Sequence, residues 1–202
     1  ARRTRLFEEM RGRIREDDSS VPERDGPFEY FVRYREGGEY PLFGRTPLAG
    51  GTEQVLFDGD AEAGDSAFFS IGSVEHSPDH SLIAYATDRV GSEYYAMRFR
   101  DIGDGTELEE TVENTSGYAV WTPDSGSVFY VERDDNQRPK RVRRHVLGTD
   151  PATDAIVYDE PDDGMFVSVS MTQSRDGAPS ARPITSKPVR RFSSVPTSKP
   201  VA

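Results

Sequence analysis

One short unit occurs twice in this chain, in residues Val74–Asp88 and again in Val120–Glu132. Each copy has an apolar residue, a Ser/Thr-Pro-Asp triplet, small polar residues and then an apolar run. The prolines of the two triplets, Pro78 and Pro123, are 45 residues apart. A repeat of about this period that is rich in short strands is typical of the blades of a β-propeller. The alternative is two unrelated hairpins that share the same turn chemistry.

The residue types in the repeat predict a strand that ends at a tight turn and a second strand that follows it. Pro fixes φ in the turn, and the Asp after it can bind the backbone beyond. The Ser or Thr before Pro is restricted to extended geometry. The runs Leu82–Ala86 and Val128–Val131 are short, apolar and rich in β-forming residues. We therefore expect both to be strands that are buried on both faces between stacked blades.

The rest of the chain predicts one helix and further strands. Leu6, Met10 and Ile14 form an apolar stripe that predicts an amphipathic helix over residues 4–15. The predicted fold is all-β, an incomplete β-propeller of about three blades preceded by this N-terminal helix. The predicted strands are Phe28–Tyr34, Tyr40–Arg45, Gln54–Phe57, Ser66–Val74, Leu82–Thr87, Tyr94–Arg100, Glu110–Glu113, Tyr118–Trp121, Val128–Glu132, Arg141–Val146, Ala155–Tyr158 and Met165–Met171.

The composition changes after Gly177. All 36 acidic residues but only 20 of the 25 basic residues precede this glycine, so this part carries a net charge of −16. Residues 177–202 contain five prolines, and Thr185–Val189 recurs as Thr197–Val201. Such a segment predicts disorder and is consistent with a frameshift. The predicted organisation is a helix and linker over 1–22, a partial propeller over 23–176 and a tail over 177–202.

The charge of the chain argues against several classes of partner. A net charge of −11 disfavours nucleic acid and anionic membranes. Since no apolar stretch reaches membrane-spanning length and no signal-peptide core is present, we expect a cytoplasmic protein. Cysteine is absent, and 22 of the 25 basic residues are Arg. Acid excess with little Lys is similar to the composition of proteins from salt-loving archaea, and a GC-rich genome is the alternative explanation.

Several blocks between Phe7 and Ser174 resemble, in order, the N-terminal region of oligopeptidase B in the prolyl oligopeptidase family of serine peptidases. No single block is specific, but together they are. These blocks are Glu9–Ile14, Asp18–Pro22, Tyr30–Arg33, Gly38–Pro41, Ser77–Asp79, Leu82–Tyr85 with Asp88, Gly91–Tyr95, Trp121–Asp124, Phe129–Tyr130, Arg138–Pro139 and His145–Asp150.

The resemblance implies a propeller that restricts access to an α/β-hydrolase domain carrying a Ser-Asp-His triad. It also implies cleavage of short peptides after Arg or Lys, with that domain and those peptides as partners. The chain begins at Ala1 and covers only the helix and about three blades, so we expect a fragment or processed product without the catalytic domain. The alternatives are a stand-alone propeller that binds proteins and a non-functional gene remnant.

No catalytic, cofactor-binding or metal-binding residue is predicted. A nucleophile elbow needs Gly-x-Ser-x-Gly, and Gly64–Phe68 lacks the second Gly. His76, His80 and His145 are expected to be structural.

Four further groups are also expected to be structural. The acidic stretch Asp58–Glu62 has the wrong residues for a calcium loop, with Ala63 and Phe69 where Gly and an acid are needed. Asp101–Gly105 is expected to form a turn, and Trp121 to fill a gap between blades. The basic run Arg138–Arg144 is expected to pair with acidic groups.

Overall fold

Strands predominate in the described part of the chain, which also contains two helices and a short 3-10 turn. The computed structural model describes residues 2–11, 19–171 and 180–184. These residues form two compact units, Ala1–Ser66 and Ala67–Ala202. In chain order the helices and strands are α1 (Arg2–Arg11), β1 (Glu23–Asp25), β2 (Phe28–Arg33), β3 (Leu42–Pro47), β4 (Gln54–Asp58), α2 (Gly59–Ala63), β5 (Ser70–His76), β6 (Leu82–Asp88), β7 (Tyr95–Asp101), β8 (Val112–Trp121), β9 (Ser127–Arg133), β10 (Pro139–Val146), a 3-10 turn (Pro151–Thr153), β11 (Ala155–Asp159), β12 (Phe166–Ser170) and β13 (Ser180–Ile184).

The first unit contains α1 and a four-stranded antiparallel sheet in the order β1-β2-β3-β4. Leu42 and Phe57 are buried in this sheet, and the guanidinium of Arg45 lies 3.8 Å from the ring centroid of Phe28. The predicted helix of residues 4–15 starts earlier, at Arg2, and is described as far as Arg11. Leu6 is exposed on it, and Ile14 lies outside the described residues. The predicted division into a helix and linker over 1–22, a partial propeller over 23–176 and a tail over 177–202 stays a prediction.

The second unit is built on a seven-stranded antiparallel sheet in the order β11-β10-β9-β8-β7-β6-β5. Strand β8 belongs to two blades, since Val112 pairs with β7, Thr115 pairs with both β7 and β9, and Ala119–Trp121 pair with β9. The sequence predicted two strands here, Glu110–Glu113 and Tyr118–Trp121, and this was wrong in detail. The strand stays continuous because Gly117, at φ +90°, lets the backbone change direction without a loop.

Two successive blades follow from this pairing. The first blade consists of β5, β6, β7 and the start of β8, and the second of the end of β8, β9, β10 and β11. Residues 83–86 and 128–131, on β6 and β9, are each less than 5% exposed. The prediction that these runs are buried on both faces is therefore confirmed except at Leu82, which is half-buried. An apolar cluster that includes Met97, Phe99 and Val128 fills the space between the blades.

A last pair of strands extends the second unit. Val167 and Val169 of β12 pack against Val120 and Val142 of the second blade. Strand β13 pairs antiparallel with β12 and lies within the segment for which composition predicted disorder, so residues 180–184 differ from that prediction. Backbone pairing along an edge tolerates Pro183, which has no N–H to donate. Residues 172–179 and 185–202 lie outside the described residues.

These sheets are open, as in part of a β-propeller, and the predicted fold class is confirmed. In the described parts of the chain, neither helix has the length and apolar character needed to cross a bilayer.

Candidate functional site: the seam between two blades

The turns that contain the two triplets have the same hydrogen bonds. In the first blade, the Ser77 hydroxyl donates to Asp79 Oδ1 at 2.6 Å and accepts from the Leu82 N–H at 2.9 Å. In the second blade, the Thr122 hydroxyl makes the same two bonds, at 2.6 Å to Asp124 Oδ1 and 3.1 Å from the Ser127 N–H. The predicted equivalence of the two turns is confirmed.

Backbone geometry in the turns is also repeated, 45 residues apart. His80 and Ser125 both adopt left-handed backbone, at φ 64° and 56°. The hydrogen bond from Thr122 holds the pKa of Asp124 below its usual value. Partial burial raises the pKa of Asp79, but bonds from Ser77 and Ser81 outweigh burial and lower it. Both carboxylates are therefore ionised acceptors that close the turns.

The two blades meet along a line that we call the seam, formed by Gly72, Glu75 and Asp79 of the first blade with Gly117, Trp121 and Ser125 of the second. Trp121 Nε1 donates to the Glu75 carbonyl at 3.0 Å, and the Asp79 N–H donates to Ser125 Oγ at 3.1 Å. At Gly72, a Cβ atom would lie 2.6 Å from the Gly117 carbonyl oxygen. Only glycine permits this close approach of the two backbones.

Trp121 is the largest side chain at the seam. Its ring packs edge-on against Phe99, with 6.0 Å between the ring centroids, and only 3% of the residue is exposed. Because its indole N–H is satisfied by the Glu75 carbonyl, the buried side chain leaves no donor unpaired. The prediction that Trp121 fills the gap between blades is confirmed.

Glu75 is a seam residue that departs from the repeat. The position 45 residues later is Val120, which is buried in an apolar cluster with Phe129 and Val131. Burial raises the pKa of the Glu75 carboxyl to about 7. Among the described residues, no side chain or backbone group donates a hydrogen bond to this carboxyl. A carboxyl in such a place costs stability once it ionises.

We expect Glu75→Gln to stabilise the chain at high pH. The folded-state pKa of Glu75 lies above the unfolded value. The stability that the protonated Glu75 carboxyl gives the folded chain is therefore lost as pH rises from about 4.5 to about 7. The difference in unfolding free energy between the two chains should vanish near pH 4.5 and reach on the order of 1–3 kcal/mol above pH 7. Urea melts at several pH values measure it.

Glu109→Gln is the matched control, because Glu109 is an exposed residue of the same unit. Its stability should track that of the unchanged chain across the pH range. Parallel pH curves for Glu75→Gln and Glu109→Gln would show that the Glu75 carboxyl is solvated.

A buried polar cluster lies behind the seam. His145 is fully buried, its Nδ1 is 2.9 Å from Asp154 Oδ1, and its ring stacks on Phe99 at 5.5 Å. The Tyr130 hydroxyl donates to Asp154 Oδ2 at 2.9 Å, and burial raises the pKa of Tyr130 well above its usual value. Glu110 Oε1 lies 3.9 Å from His145 Nε2. The cluster joins β9, β10, the loop before β8 and the segment before β11, so His145 contributes to the packing of the second blade.

The hairpin tips of the two blades are also joined. The Tyr94 hydroxyl donates to the Asp134 carbonyl at 2.7 Å and accepts from the Gln137 N–H at 3.1 Å. Gln137 Nε2 donates to the Ser92 carbonyl at 2.9 Å. The blades are therefore connected at the turns, at the seam and at the hairpin tips.

The acidic stretches rejected as metal sites have structural roles. Asp58 caps α2 by accepting from the Ala61 N–H at 3.3 Å, and Asp60 Oδ1 accepts from the N–H groups of Glu39 and Tyr40, both at 2.9 Å. Asp101 closes its turn by accepting from the Gly103 N–H at 2.7 Å. Within the described ranges, no three His, Cys, Asp or Glu residues are grouped to hold a metal ion.

The remaining histidines and the basic run are also accounted for. The rings of His76 and His80 stack with centroids 5.4 Å apart at the first turn. Arg141 pairs with Glu132 and Asp159, as the prediction for the basic run requires. The other paired members are Lys140, with Asp163 at 2.9 Å, and Arg143, with Glu132 at 3.0 Å.

Comparison with known proteins identifies this architecture. A family model for the prolyl oligopeptidase N-terminal β-propeller domain matches residues 1–178. This chain belongs to the prolyl oligopeptidase family. The resemblance inferred from the sequence blocks is confirmed at this level.

Relatives in the prolyl oligopeptidase family are much longer than this chain. Dipeptidyl aminopeptidase BI of Pseudoxanthomonas mexicana is 35% identical over 189 residues, which cover 85% of this chain and 26% of the relative. Protease 2 of Moraxella lacunata is 29% identical over 177 residues, again covering 26% of that protein. The chain spans about a quarter of the length of these curated relatives.

Solved structures of the family agree with the fold. Oligopeptidase B from Leishmania major superposes with a TM-score of 0.85 at 28% identity, over 90% of this chain and 26% of that one. Oligopeptidase B from Trypanosoma brucei, in a closed form with covalently bound antipain, has a TM-score of 0.78 at 26% identity, over 90% and 27%. The chain therefore corresponds to the N-terminal propeller region of these enzymes.

The sequence did not reveal the buried carboxyl of Glu75, the Tyr130–His145–Asp154 cluster or the hydrogen bonds between the hairpin tips of the two blades. Glu75 could have been found by aligning the two repeat copies, since a carboxyl stands where the other copy has Val120. The cluster carries no such sequence pattern, because its members lie on two strands and a loop whose packing the spacing does not show. That the chain has no catalytic, cofactor or metal residue stays a prediction.

Proposed function

We propose that this chain is the N-terminal propeller portion of an oligopeptidase B-like serine peptidase that cleaves short peptides after Arg or Lys. In this proposal the propeller restricts access to the active site, and an α/β-hydrolase domain supplies the Ser-Asp-His triad. The observation that carries the proposal is the superposition on oligopeptidase B from Leishmania major over 90% of this chain. The ordered sequence blocks, from Glu9–Ile14 to His145–Asp150, support the same branch of the family.

In this proposal the chain restricts access to the active site, and the α/β-hydrolase domain supplies the catalytic residues. Its sequence has no Gly-x-Ser-x-Gly, which an α/β-hydrolase uses to expose its nucleophile. The inter-blade contacts at the turns, seam and hairpin tips make two blades into one body, which suits a barrier that admits short peptides and excludes folded proteins.

The test is to sequence the locus beyond the codon for Gly177 and express the whole reading frame. We expect hydrolysis of short peptides after Arg or Lys, inhibition by a serine-directed reagent and no cleavage of a folded protein. Exclusive cleavage after Pro would contradict the oligopeptidase B assignment. So would release of N-terminal dipeptides alone, the activity that the name of the Pseudoxanthomonas mexicana relative suggests. The 202-residue chain is the control and should be inactive.

We also propose a cytoplasmic location in a salt-loving organism. Support comes from the charge of −16 before Gly177 and from the scarcity of Lys. Such a charge repels itself in dilute buffer, and molar salt shortens the Debye length to about 3 Å.

The melting temperature of the chain should therefore rise as potassium chloride is raised to molar concentration, with less aggregation. Circular dichroism melts across a salt series measure this. A cooperative transition at the same temperature throughout the series would show that the acidic surface is no adaptation to salt.

A further inference from the structure

A small pocket lies on the face of the first blade that points away from the seam. Met97 and Val112 pair across β7 and β8 and point into the inter-blade core. The alternating neighbours Arg98 and Glu113 therefore lie on the opposite face. They line a pocket of about 170 Å³ together with Tyr85, Thr87 and Tyr94, among others. This volume holds about five or six waters and is below the range of about 300–1,000 Å³ that drug-sized ligands occupy.

The pocket is a consequence of side-chain size along the strands. Thr87 of β6 pairs directly with Ala96 of β7, so two small side chains form a depression. The larger pair Tyr85 and Arg98 borders it on one side. The hairpin that joins β6 to β7 borders it on the other, with Val90, which is 79% exposed.

Asp88 and Arg89 line the pocket but are engaged in the protein. The Asp88 carboxylate accepts from the N–H groups of Val90, Gly91 and Glu93 at 2.8–3.0 Å, and the residue is 3% exposed. The guanidinium of Arg89 lies 4.9 Å from the ring centroid of Phe69. These contacts fix the shape of the hairpin.

Arg98 and Glu113 are the ionic groups that remain for a ligand. Both side chains belong to exposed residues, and in the described part of the chain neither makes an ion pair or hydrogen bond. They are diagonal neighbours on adjacent strands, with backbones roughly 7–8 Å apart, so one small molecule can contact both side chains. A simple anion bound to Arg98 would be repelled by the negative charge of Glu113, and a simple cation bound to Glu113 would be repelled by the positive charge of Arg98. A small zwitterion satisfies both.

We propose that this pocket binds a free α-amino acid with an apolar side chain, whose carboxylate contacts Arg98 and whose ammonium group contacts Glu113. Charge-assisted hydrogen bonds supply the orientation. The exposed surface of Val90 and the ring of Tyr94 receive the side chain. The site goes beyond the proposed peptidase function and does not depend on it, because every contact is made by this chain alone.

The test is titration of the ¹⁵N-labelled 202-residue chain with leucine, N-acetylleucine and leucinamide, followed by NMR in molar potassium chloride. Leucine should bind saturably with a Kd of about 1 mM and shift the amide signals of residues 88–91 and 96–98. N-acetylleucine lacks the ammonium group and leucinamide lacks the carboxylate, so each should bind about tenfold more weakly. These comparisons use the unchanged chain, so they do not depend on the folding of a variant.

Charge variants provide the second measurement. Arg98→Gln and Glu113→Gln should each weaken leucine binding about tenfold, and the exchange Arg98→Glu with Glu113→Arg should restore part of it. Arg24→Gln and Glu109→Gln are matched controls on exposed residues elsewhere and should leave binding unchanged. The proposal is overturned if leucine shows no saturable binding below about 20 mM. Equal binding of leucinamide and leucine, or unchanged affinity in both Gln variants, would also overturn it.

Discussion

Trp121→Ala is expected to lower the free energy of unfolding by about 3–5 kcal/mol, enough to unfold the chain in dilute buffer. The substitution removes the largest side chain from the core between the blades and leaves a cavity next to Phe99. It also leaves the Glu75 carbonyl without its donor at the seam. Urea melts in molar potassium chloride, followed by circular dichroism, measure the loss.

Trp121→Phe separates packing from hydrogen bonding in this experiment. Phe keeps an aromatic ring against Phe99 but cannot donate to Glu75, so we expect a smaller loss of about 1–2 kcal/mol. An alanine variant as stable as the phenylalanine variant would mean that Trp121 does not fill the space between the blades.

Gly72→Ala is expected to destabilise the chain by at least about 2–3 kcal/mol, although the change adds one methyl group. The new Cβ would lie 2.6 Å from the Gly117 carbonyl oxygen and 2.7 Å from the Gly117 Cα. These are backbone atoms of the other blade, which cannot rotate away as a side chain would. The blades must therefore separate at the seam, and the same melts report it.

Gly126→Ala is the matched control for this prediction. A Cβ at Gly126 meets only the Asp124 side chain, at 3.6 Å or more, which is ordinary contact. Since alanine also lowers the entropy of the unfolded chain, this variant should be neutral or stabilised by up to about 1 kcal/mol. If Gly72→Ala behaves like Gly126→Ala, the two backbones do not approach closely at the seam.

The sequence predicted those parts of the fold that depend on local patterns. Two local patterns are the turn residues around Pro78 and Pro123 and the apolar runs that follow them. The structure has the predicted turns at these prolines, followed by the buried strands β6 and β9. The continuity of β8 could not be predicted, because it depends on Gly117 adopting φ +90° against Gly72 of the other blade.

The long-range contacts could not be derived in the same way. Strand β13 has a composition that disfavours a sheet, and it nevertheless pairs with β12 through the backbone. The cluster of Tyr130, His145 and Asp154 depends on the pairing of β9 with β10 and on the path of the chain before β11, and spacing along the chain does not show that. The pocket beside Arg98 depends on strand register, which sets two small side chains opposite each other.

Native-state hydrogen exchange tests most directly that the seam joins the two blades into one cooperative unit. In molar potassium chloride, the amides of Ile83–Ala86 on β6 and Val128–Val131 on β9 should exchange with the same free energy of opening. Trp121→Phe should lower that free energy by the same amount, about 1–2 kcal/mol, in both strands. Loss of protection in β9 with β6 unchanged would show that the blades open independently and would contradict this account.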